Sequence, residues 1–274
     1  MAIVADVPVA ASSRMNLVNR LLGKVPPAFW ALLILVVFWE VAVIVMAVPS
    51  YILPAPTAIA AEFVSYWHRL LPNAVVTASE VLLGFAFAVA IGVPLAILIT
   101  YSTIMERSVY PLIVASQTVP KVAIAPLLLT WFGYGLAPKI VIVVLLSFFP
   151  IVINSVMGLK SASREMIHLA RSMGATGWQT FWKFRLPNAL PSMFAGFKLA
   201  TVLSVIGAIV AEFIGADKGL GYLILVSGSN FNITRQFAAI ILITVIGIVF
   251  FMVIERLERI MIPWRHRTVP GGEL

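Results

Sequence analysis

The sequence of 274 residues has little charge, no cysteine and only three histidines. Asp, Glu, Lys and Arg make up 11% of it, whereas a soluble domain contains roughly 25%. Without cysteine, the chain can form neither a disulfide framework nor a thiolate-ligated metal site. The composition therefore excludes an ordinary soluble fold.

Motifs for nucleotide hydrolysis and for proteolytic or esterase chemistry are also missing. The sequence contains no phosphate loop of the form G-x-x-x-x-G-K-[ST], no H-E-x-x-H and no G-x-S-x-G. We therefore expect no catalytic residues, no bound cofactor and no metal site in this chain.

Apolar residues are abundant, at 61% of the chain, and the mean hydropathy is +1.05. Runs of about 20 such residues cross a bilayer as helices. The sequence predicts an all-α polytopic membrane protein with about six transmembrane helices, near residues 28–48, 75–101, 109–132, 140–157, 193–214 and 238–254. No basic residue precedes an apolar core in residues 1–13, so we expect the first span to be retained rather than cleaved as a signal peptide.

Local patterns refine this outline. Gly84, Ala88, Gly92 and Ala96 form a stripe of small residues, which lets a second helix approach closely. Prolines 120 and 126 interrupt the third apolar run and predict a broken or kinked span. Residues 49–73 are predicted to be a loop with a short helix.

The longest polar, basic stretch is 163–191. Its apolar residues recur with helical spacing, and a basic stripe lies beside them (apolar Met166, Leu169, Ala170 and Met173; basic Arg164, His168 and Arg171). Gly174 should end this helix. Thr176 and Gln179 form a capping-box pattern that should begin a second helix, and prolines 187 and 191 should end it. Periodicity alone is equally compatible with a hairpin lying on the membrane surface.

The spacing in this stretch resembles the cytoplasmic signature loop of ABC-importer permeases. Its three-residue block corresponds to His168-Leu169-Ala170, its glycine to Gly174, and its end to Phe184-Arg185-Leu186-Pro187. His168, Leu169 and Phe184 depart from the usual Glu, Ala and Ile. The resemblance implies that this coupling loop, residues 159–191, docks on an ATPase subunit.

Other segments resemble the sulfonate–nitrate–taurine type within that family. They are PKVAIAPLLLTWFGYG, FFPIVIN and GLGYL, and the residues Pro120-Lys121-Val122-Ala123 resemble members that move thiamine-precursor pyrimidines or riboflavin. The resemblance implies a type I ABC importer permease core over residues 73–258. It would be preceded by a tail (1–27) and a first helix with an extracytoplasmic loop (28–72), and followed by a tail (259–274).

The same resemblance implies the partners. Two identical permease copies would form the pathway as a homodimer, with two ABC ATPase subunits that use ATP-Mg. An extracytoplasmic binding protein would deliver the solute, the bilayer would be that of the bacterial inner membrane, and nucleic acid would have no part.

Basic residues predict the orientation. If the coupling loop is cytoplasmic, 13 of the 19 Lys and Arg residues fall on its side, four fall on the other side, and Lys121 and Lys198 lie within apolar runs. We therefore expect both termini in the cytoplasm.

Several polar residues within spans could line a translocation path: Glu40, Gln117, Lys121, Asn154 and Glu212. Each has a second interpretation. Glu40 could pair helices during assembly, Glu212 could cap the turn that follows it, and Lys121 could extend along apolar surface toward water.

Two other functions fit the same residues. A channel or ATP-independent carrier would need only the spans, with the basic loop resting on the membrane. An intramembrane enzyme would use Glu40 and Glu212 as its carboxylates.

Overall fold

The computed structural model describes residues 27–266, and these residues form ten α-helices. The predicted tail 1–27 lies outside this range except for residue 27. Of the predicted tail 259–274, only residues 259–266 lie within it. The helices are α1 (Pro27–Val45), α2 (Pro56–Tyr101), α3 (Thr103–Ala115), α4 (Lys121–Phe132), α5 (Leu136–Lys160), α6 (Arg164–Ser172), α7 (Gly177–Thr180), α8 (Leu186–Gly215), α9 (Leu220–Ser229) and α10 (Ile233–Met261). Short 3-10 turns follow α3 and α10, and a π-helical segment, Phe181–Arg185, joins α7 to α8.

The prediction of an all-helical membrane protein with about six spans is confirmed. Five helical runs are long and apolar enough to cross a bilayer. A sixth candidate span is the pair α3 and α4, which is bent by 98° at its break. The predicted break near Pro120 is therefore confirmed, because the chain leaves helical geometry there and restarts at Lys121.

The centre of the bundle is α5, which packs between α2 and α8. The small-residue stripe makes this packing possible. Gly84 and Gly92 face Val143 and Ile151 of α5 so closely that a Cβ atom on Gly84 would overlap Val143. Ala88 and Ala96 on the same stripe are fully buried, so the predicted close approach is confirmed.

Helix α1 is peripheral. Most of its large apolar side chains are exposed, as expected for residues that face lipid. Its main contacts are with α2, and the ring of Trp39 also lies 5.8 Å from that of Phe237 on α10.

The prediction of a separate loop helix before the second span is wrong. A single helix of 46 residues, α2, runs from Pro56 to Tyr101 and includes Pro72. Pro72 removes one backbone hydrogen bond. Its neighbours Leu70 and Ala74 are buried in a cluster with α9 and α10, and this packing holds the helix together across the proline.

The prediction that Pro187 and Pro191 end a short helix is also wrong. Pro187 lies in the first turn of α8, directly after the π-helical segment, and Pro191 lies inside α8. The second helix of the loop is therefore not separate. It begins at Gly177 and continues through the π-helical segment and α8 to Gly215, over 39 residues.

One helix was not predicted at all. The residues after Gly219, which the sequence suggested were only a turn, form α9. The glycine-rich segment at 133–135 is a turn between α4 and α5, in which Gly133 and Gly135 both have positive φ.

We expect Gly158→Ala to destabilise the bundle. A Cβ at residue 158 would lie 2.7 Å from the carbonyl oxygen of Ala189 on α8, and neither backbone can yield easily. Overpacking of this kind costs about 1–3 kcal/mol. Thermal unfolding of the detergent-solubilised protein should show a lowered midpoint.

The matched control is Gly247→Ala in α10, where the nearest atom, Cγ2 of Val205, would be 3.6 Å away. Both substitutions replace glycine by alanine inside a helix, so both raise the helix propensity by the same amount. An equal or higher midpoint for Gly158→Ala than for the control would contradict the close α5–α8 contact.

Candidate functional site

The coupling loop begins with α6, whose two ends are closed by local hydrogen bonds. The hydroxyl of Ser163 accepts a hydrogen bond from the backbone N–H of Met166. At the other end Gly174 has φ of 79°, and the N–H groups of Gly174 and Ala175 donate to the carbonyls of Arg171 and Ala170. These two bonds form a Schellman motif, so the predicted stop at Gly174 is confirmed.

The chain turns at once into α7. The hydroxyl of Thr176 accepts from the N–H of Gln179 at 3.3 Å, and the N–H of Thr176 donates to the Gln179 side chain at 2.8 Å. This is the predicted capping box, and it is confirmed. The geometry of the bend is thus fixed by contacts within the loop itself.

Helix α6 presents apolar side chains that no described residue covers. Leu169 is 63% exposed and Met173 is 79% exposed, whereas Ala170 is buried. Helix α6 packs chiefly against α7 rather than against a span. Exposed apolar groups on a projecting helix are typical of a surface that another protein covers.

The remaining residues of the signature are distributed along this bend. His168 is exposed on α6, and Phe184, Leu186 and Pro187 are half-buried where the π-helical segment passes into α8. Near His168, the pKa of the Glu165 carboxyl is lowered because its own backbone N–H and the Ser163 hydroxyl stabilise its charged form. A carboxylate in the first turn of α6 also suits the helix dipole.

A buried polar cluster lies at the far end of α8 from the coupling loop. Glu212 of α8 accepts hydrogen bonds from the Thr77 hydroxyl of α2, at 2.6 Å, and from the backbone N–H of Gly221. Thr77 in turn accepts from the N–H of Leu220 at 2.8 Å, and the Asn73 side chain accepts from the N–H of Gly219 at 2.7 Å. Side chains from two other helices therefore satisfy the first N–H groups of α9.

Gly219 is required by this arrangement. Its φ is +117°, and a Cβ atom there would overlap the carboxylate of Glu212. The structure thus brings Glu212 into the capping position that was one of its two predicted roles. A role in the path stays a prediction.

Beside Glu212 lies a buried ion pair. Lys139 of α5 donates to Glu80 of α2 at 2.8 Å, and both side chains are nearly inaccessible. The second oxygen of Glu80 has no hydrogen-bond partner, and the carboxylates of Glu80 and Glu212 are close enough to interact. We call Asn73, Thr77, Glu80, Lys139 and Glu212 together the Glu212 cluster.

The other predicted path residues do not join this cluster. Glu40, near the end of α1, accepts hydrogen bonds from the N–H and hydroxyl of Thr57, at 3.0 and 2.7 Å. It therefore caps the first turn of α2, where a carboxylate is favoured. This geometry corresponds to the helix-pairing interpretation of Glu40.

Lys121, Gln117 and Asn154 lie elsewhere. The ammonium of Lys121 is 4.4 Å from the centre of the Phe149 ring and donates to the carbonyl of Gln117, whose side chain is exposed. Asn154 lies at the contact of α5 and α8, where its carbonyl accepts from Ser192 at 2.9 Å. None of these three residues lines the described cavity that contains Glu212.

A cavity of about 400 Å³ opens beside the Glu212 cluster, between the end of α8 and α9. Polar groups on it include Glu212, Ser229 and Asn230. Of the predicted path residues, Glu212 lines this cavity.

Sequence reasoning missed Glu80 and Lys139. Lys139 was counted only as one of the four basic residues on the side opposite the coupling loop, and Glu80 was overlooked although it is the one charged residue between positions 75 and 101. That isolation inside an apolar run was the available signal, because a lone intramembrane carboxylate needs a partner.

Comparison with known proteins identifies the class. Residues 88–265 match the family described as the binding-protein-dependent transport system inner membrane component. The chain belongs to this family and is a membrane-embedded permease of an ABC importer for small solutes.

Individual relatives cover most of the chain. The formylaminopyrimidine transport permease protein ThiX of Halalkalibacterium halodurans is 39% identical over 86% of this chain and 94% of its own length. The riboflavin transport system permease protein RibX of Chloroflexus aurantiacus is 34% identical over 85% of this chain and 88% of its own. The taurine transport system permease protein TauC of Escherichia coli is 27% identical, over 84% and 86%.

The fold is found among solved structures. A chain of the inward-facing MetNI methionine ABC transporter superposes with a TM-score of 0.61, covering 70% of this chain and 95% of that one, at 21% identity. The type I importer fold predicted from the sequence is therefore confirmed.

We expect Lys139→Met to be strongly destabilising, because it leaves Glu80 buried without its ion-pair partner. Breaking a buried pair in this way costs about 3–5 kcal/mol. The double variant Glu80→Leu/Lys139→Met should recover most of the loss, since no buried charge then remains at that contact. The measurement is the thermal midpoint in detergent of the wild type, Glu80→Leu, Lys139→Met and the double variant. A midpoint of the double variant no higher than that of Lys139→Met would argue against a direct pair.

Proposed function

We propose that this chain is the pathway-forming subunit of an ATP-driven importer that works by alternating access. Two copies would enclose the path, and two ABC ATPase subunits would bind their coupling loops in the cytoplasm. An extracytoplasmic binding protein would deliver solute at the opposite face. The observation that carries the proposal is the projecting helix α6, with Leu169 and Met173 uncovered, in a loop that keeps the spacing of the family signature.

The proposed mechanism uses the loop as a lever. From Gly177 the helical run continues for 39 residues to Gly215, or about 58 Å at 1.5 Å per residue, and Glu212 lies in its last turn. Displacement of the loop by a closing ATPase pair would therefore move the opposite end of α8 as well. ATP can bias the two states only if the loop fits the ATPase differently in each.

Charge distribution supports a cytoplasmic position for the loop. Thirteen basic residues lie on its side of the membrane by the sequence count, against four on the other. Both termini would then be cytoplasmic. Labelling of single cysteines is straightforward here because the chain has none of its own.

For the solute we propose a small heterocyclic vitamin precursor rather than an aliphatic sulfonate. The relative at 39% identity is named for formylaminopyrimidine and that at 34% for riboflavin, whereas relatives named for aliphatic sulfonates and for taurine are 32% and 27% identical. The residues Pro120-Lys121-Val122-Ala123 support the same assignment by resemblance.

We expect Leu169→Asp to abolish co-purification of the ATPase subunit while membrane insertion persists. The substitution places a charge on the exposed apolar face of α6. Gly174→Pro should act likewise, because proline fixes φ near −65° and cannot adopt the observed +79°. Pull-down of the tagged permease, with insertion checked by membrane fractionation, measures both effects.

The matched control is Arg164→Gln, which changes the net charge by the same amount at the start of α6 without altering its apolar face. It should retain the ATPase. Normal ATPase binding by both Leu169→Asp and Gly174→Pro would count against the lever.

Uptake in cells or proteoliposomes should depend on ATP and on the solute class. We expect radiolabelled formylaminopyrimidine or riboflavin to be accumulated when the cognate binding protein is present, with taurine transported at least about tenfold more slowly, a difference of about 1.4 kcal/mol. ATP depletion should abolish accumulation. Transport that continued without ATP would instead support a channel or carrier.

A further inference from the structure

A second cavity, unrelated to the Glu212 cluster, opens on the coupling-loop side of the bundle. Its volume is about 510 Å³ and its walls are almost entirely apolar. One wall is the end of α2, and the other is formed by α7, the π-helical segment and the start of α8. We call it the aromatic groove.

The α2 wall shows how deep the groove reaches. Val93, Ile97 and Tyr101 lie one turn apart along the last turns of this span, a distance of about 12 Å from first to last. The groove therefore runs along a transmembrane helix from its end toward the middle of the bilayer. An occupant must be apolar over that length.

The opposite wall is aromatic. The rings of Trp178, Phe181 and Trp182 contact one another with centres 5.5 to 6.2 Å apart, and Trp182 lies edge to face with the other two. Phe181 also contacts the ring of Tyr101 at 6.1 Å. Trp178 and Trp182 are at least half exposed. Tryptophan and tyrosine at a span's end are typical of the membrane–water boundary.

A cation lies beside the groove, next to Tyr101. The guanidinium of Arg185 is 4.9 Å from the centre of the Tyr101 ring, at the end of α2. Among the described residues no carboxylate forms an ion pair with it, and its Nε has no hydrogen-bond partner. Lys183, two residues away, is exposed.

The π-helical segment produces this arrangement. It carries Phe181, Trp182 and Arg185 together, and an inserted π turn changes the face that later residues present. Such turns are frequent at functional sites.

We propose that the aromatic groove binds one anionic phospholipid from the leaflet on the coupling-loop side, with an acyl chain between α2 and α7 and the phosphate on Arg185. An apolar groove about 12 Å deep with an unpaired cation beside its Tyr101 end matches the acyl and phosphate parts of such a lipid. Arginine suits a phosphate because its planar fork of donors pairs with two oxygens. The proposal depends only on the groove and holds whichever solute or ATPase the transporter uses.

Native mass spectrometry of the full-length chain, in the assembly in which it purifies, tests the proposal. Phosphatidylglycerol and phosphatidylcholine with identical acyl chains are added separately to lipid-depleted protein. We expect phosphatidylglycerol to bind about fivefold more tightly than phosphatidylcholine, the effect of one cation at an anionic headgroup. Equal binding of the two lipids would overturn the proposal.

Two variants distinguish the contribution of the lipid headgroup to binding from that of the acyl chains. Arg185→Gln should reduce phosphatidylglycerol binding to the level of phosphatidylcholine, and Ile97→Trp, which fills the groove, should reduce both. Arg171→Gln removes the same charge from α6 and should change neither. Elution volume on size exclusion verifies that each variant is folded, and wild-type lipid binding by folded Arg185→Gln or Ile97→Trp would refute the assignment.

Discussion

A charged or hydrogen-bonding group inside a membrane protein must find its partner within the protein, because hydrocarbon offers none. In this chain the constraint acts most strongly at the Glu212 cluster. Glu80, Lys139 and Glu212 come from three different helices, and Thr77 and Asn73 complete the set. Separating α2, α5, α8 or α9 would expose an unpaired group to an apolar medium. The cluster therefore fixes the relative positions of these helices at one face of the bundle.

The coupling loop depends on contacts within itself rather than on contacts between helices. Its bend is fixed by its own caps, at Ser163, Gly174 and Thr176, so it needs little support from the spans. Its apolar residues on α6 remain available to a partner. The coupling loop and the Glu212 cluster lie at opposite ends of one continuous helical run. The loop is held in shape by contacts within itself, whereas the cluster is held by contacts between distant helices.

The difference between local and distant contacts explains what the sequence could predict. The turn at Gly174 and the capping box at Thr176 depend on residues within a few positions, and both were predicted. The stripe from Gly84 to Ala96 was visible for the same reason. In contrast, Glu80 and Lys139 are 59 residues apart. The start of α9 is capped by Thr77, 143 residues before Leu220, so neither contact leaves a local pattern. Pro187 was misread because proline is also common in the first turn of a helix, and no residue near Pro191 distinguishes a proline that ends a helix from one inside it.

The distance along α8 between the loop and the Glu212 cluster also bears on how such proteins diversify. A substitution near Glu212 or on α9 leaves the exposed face of α6 unaltered, because these regions share no contact. The uncovered surface of α6 and the buried Glu212 cluster can then change in sequence without one directly constraining the packing of the other.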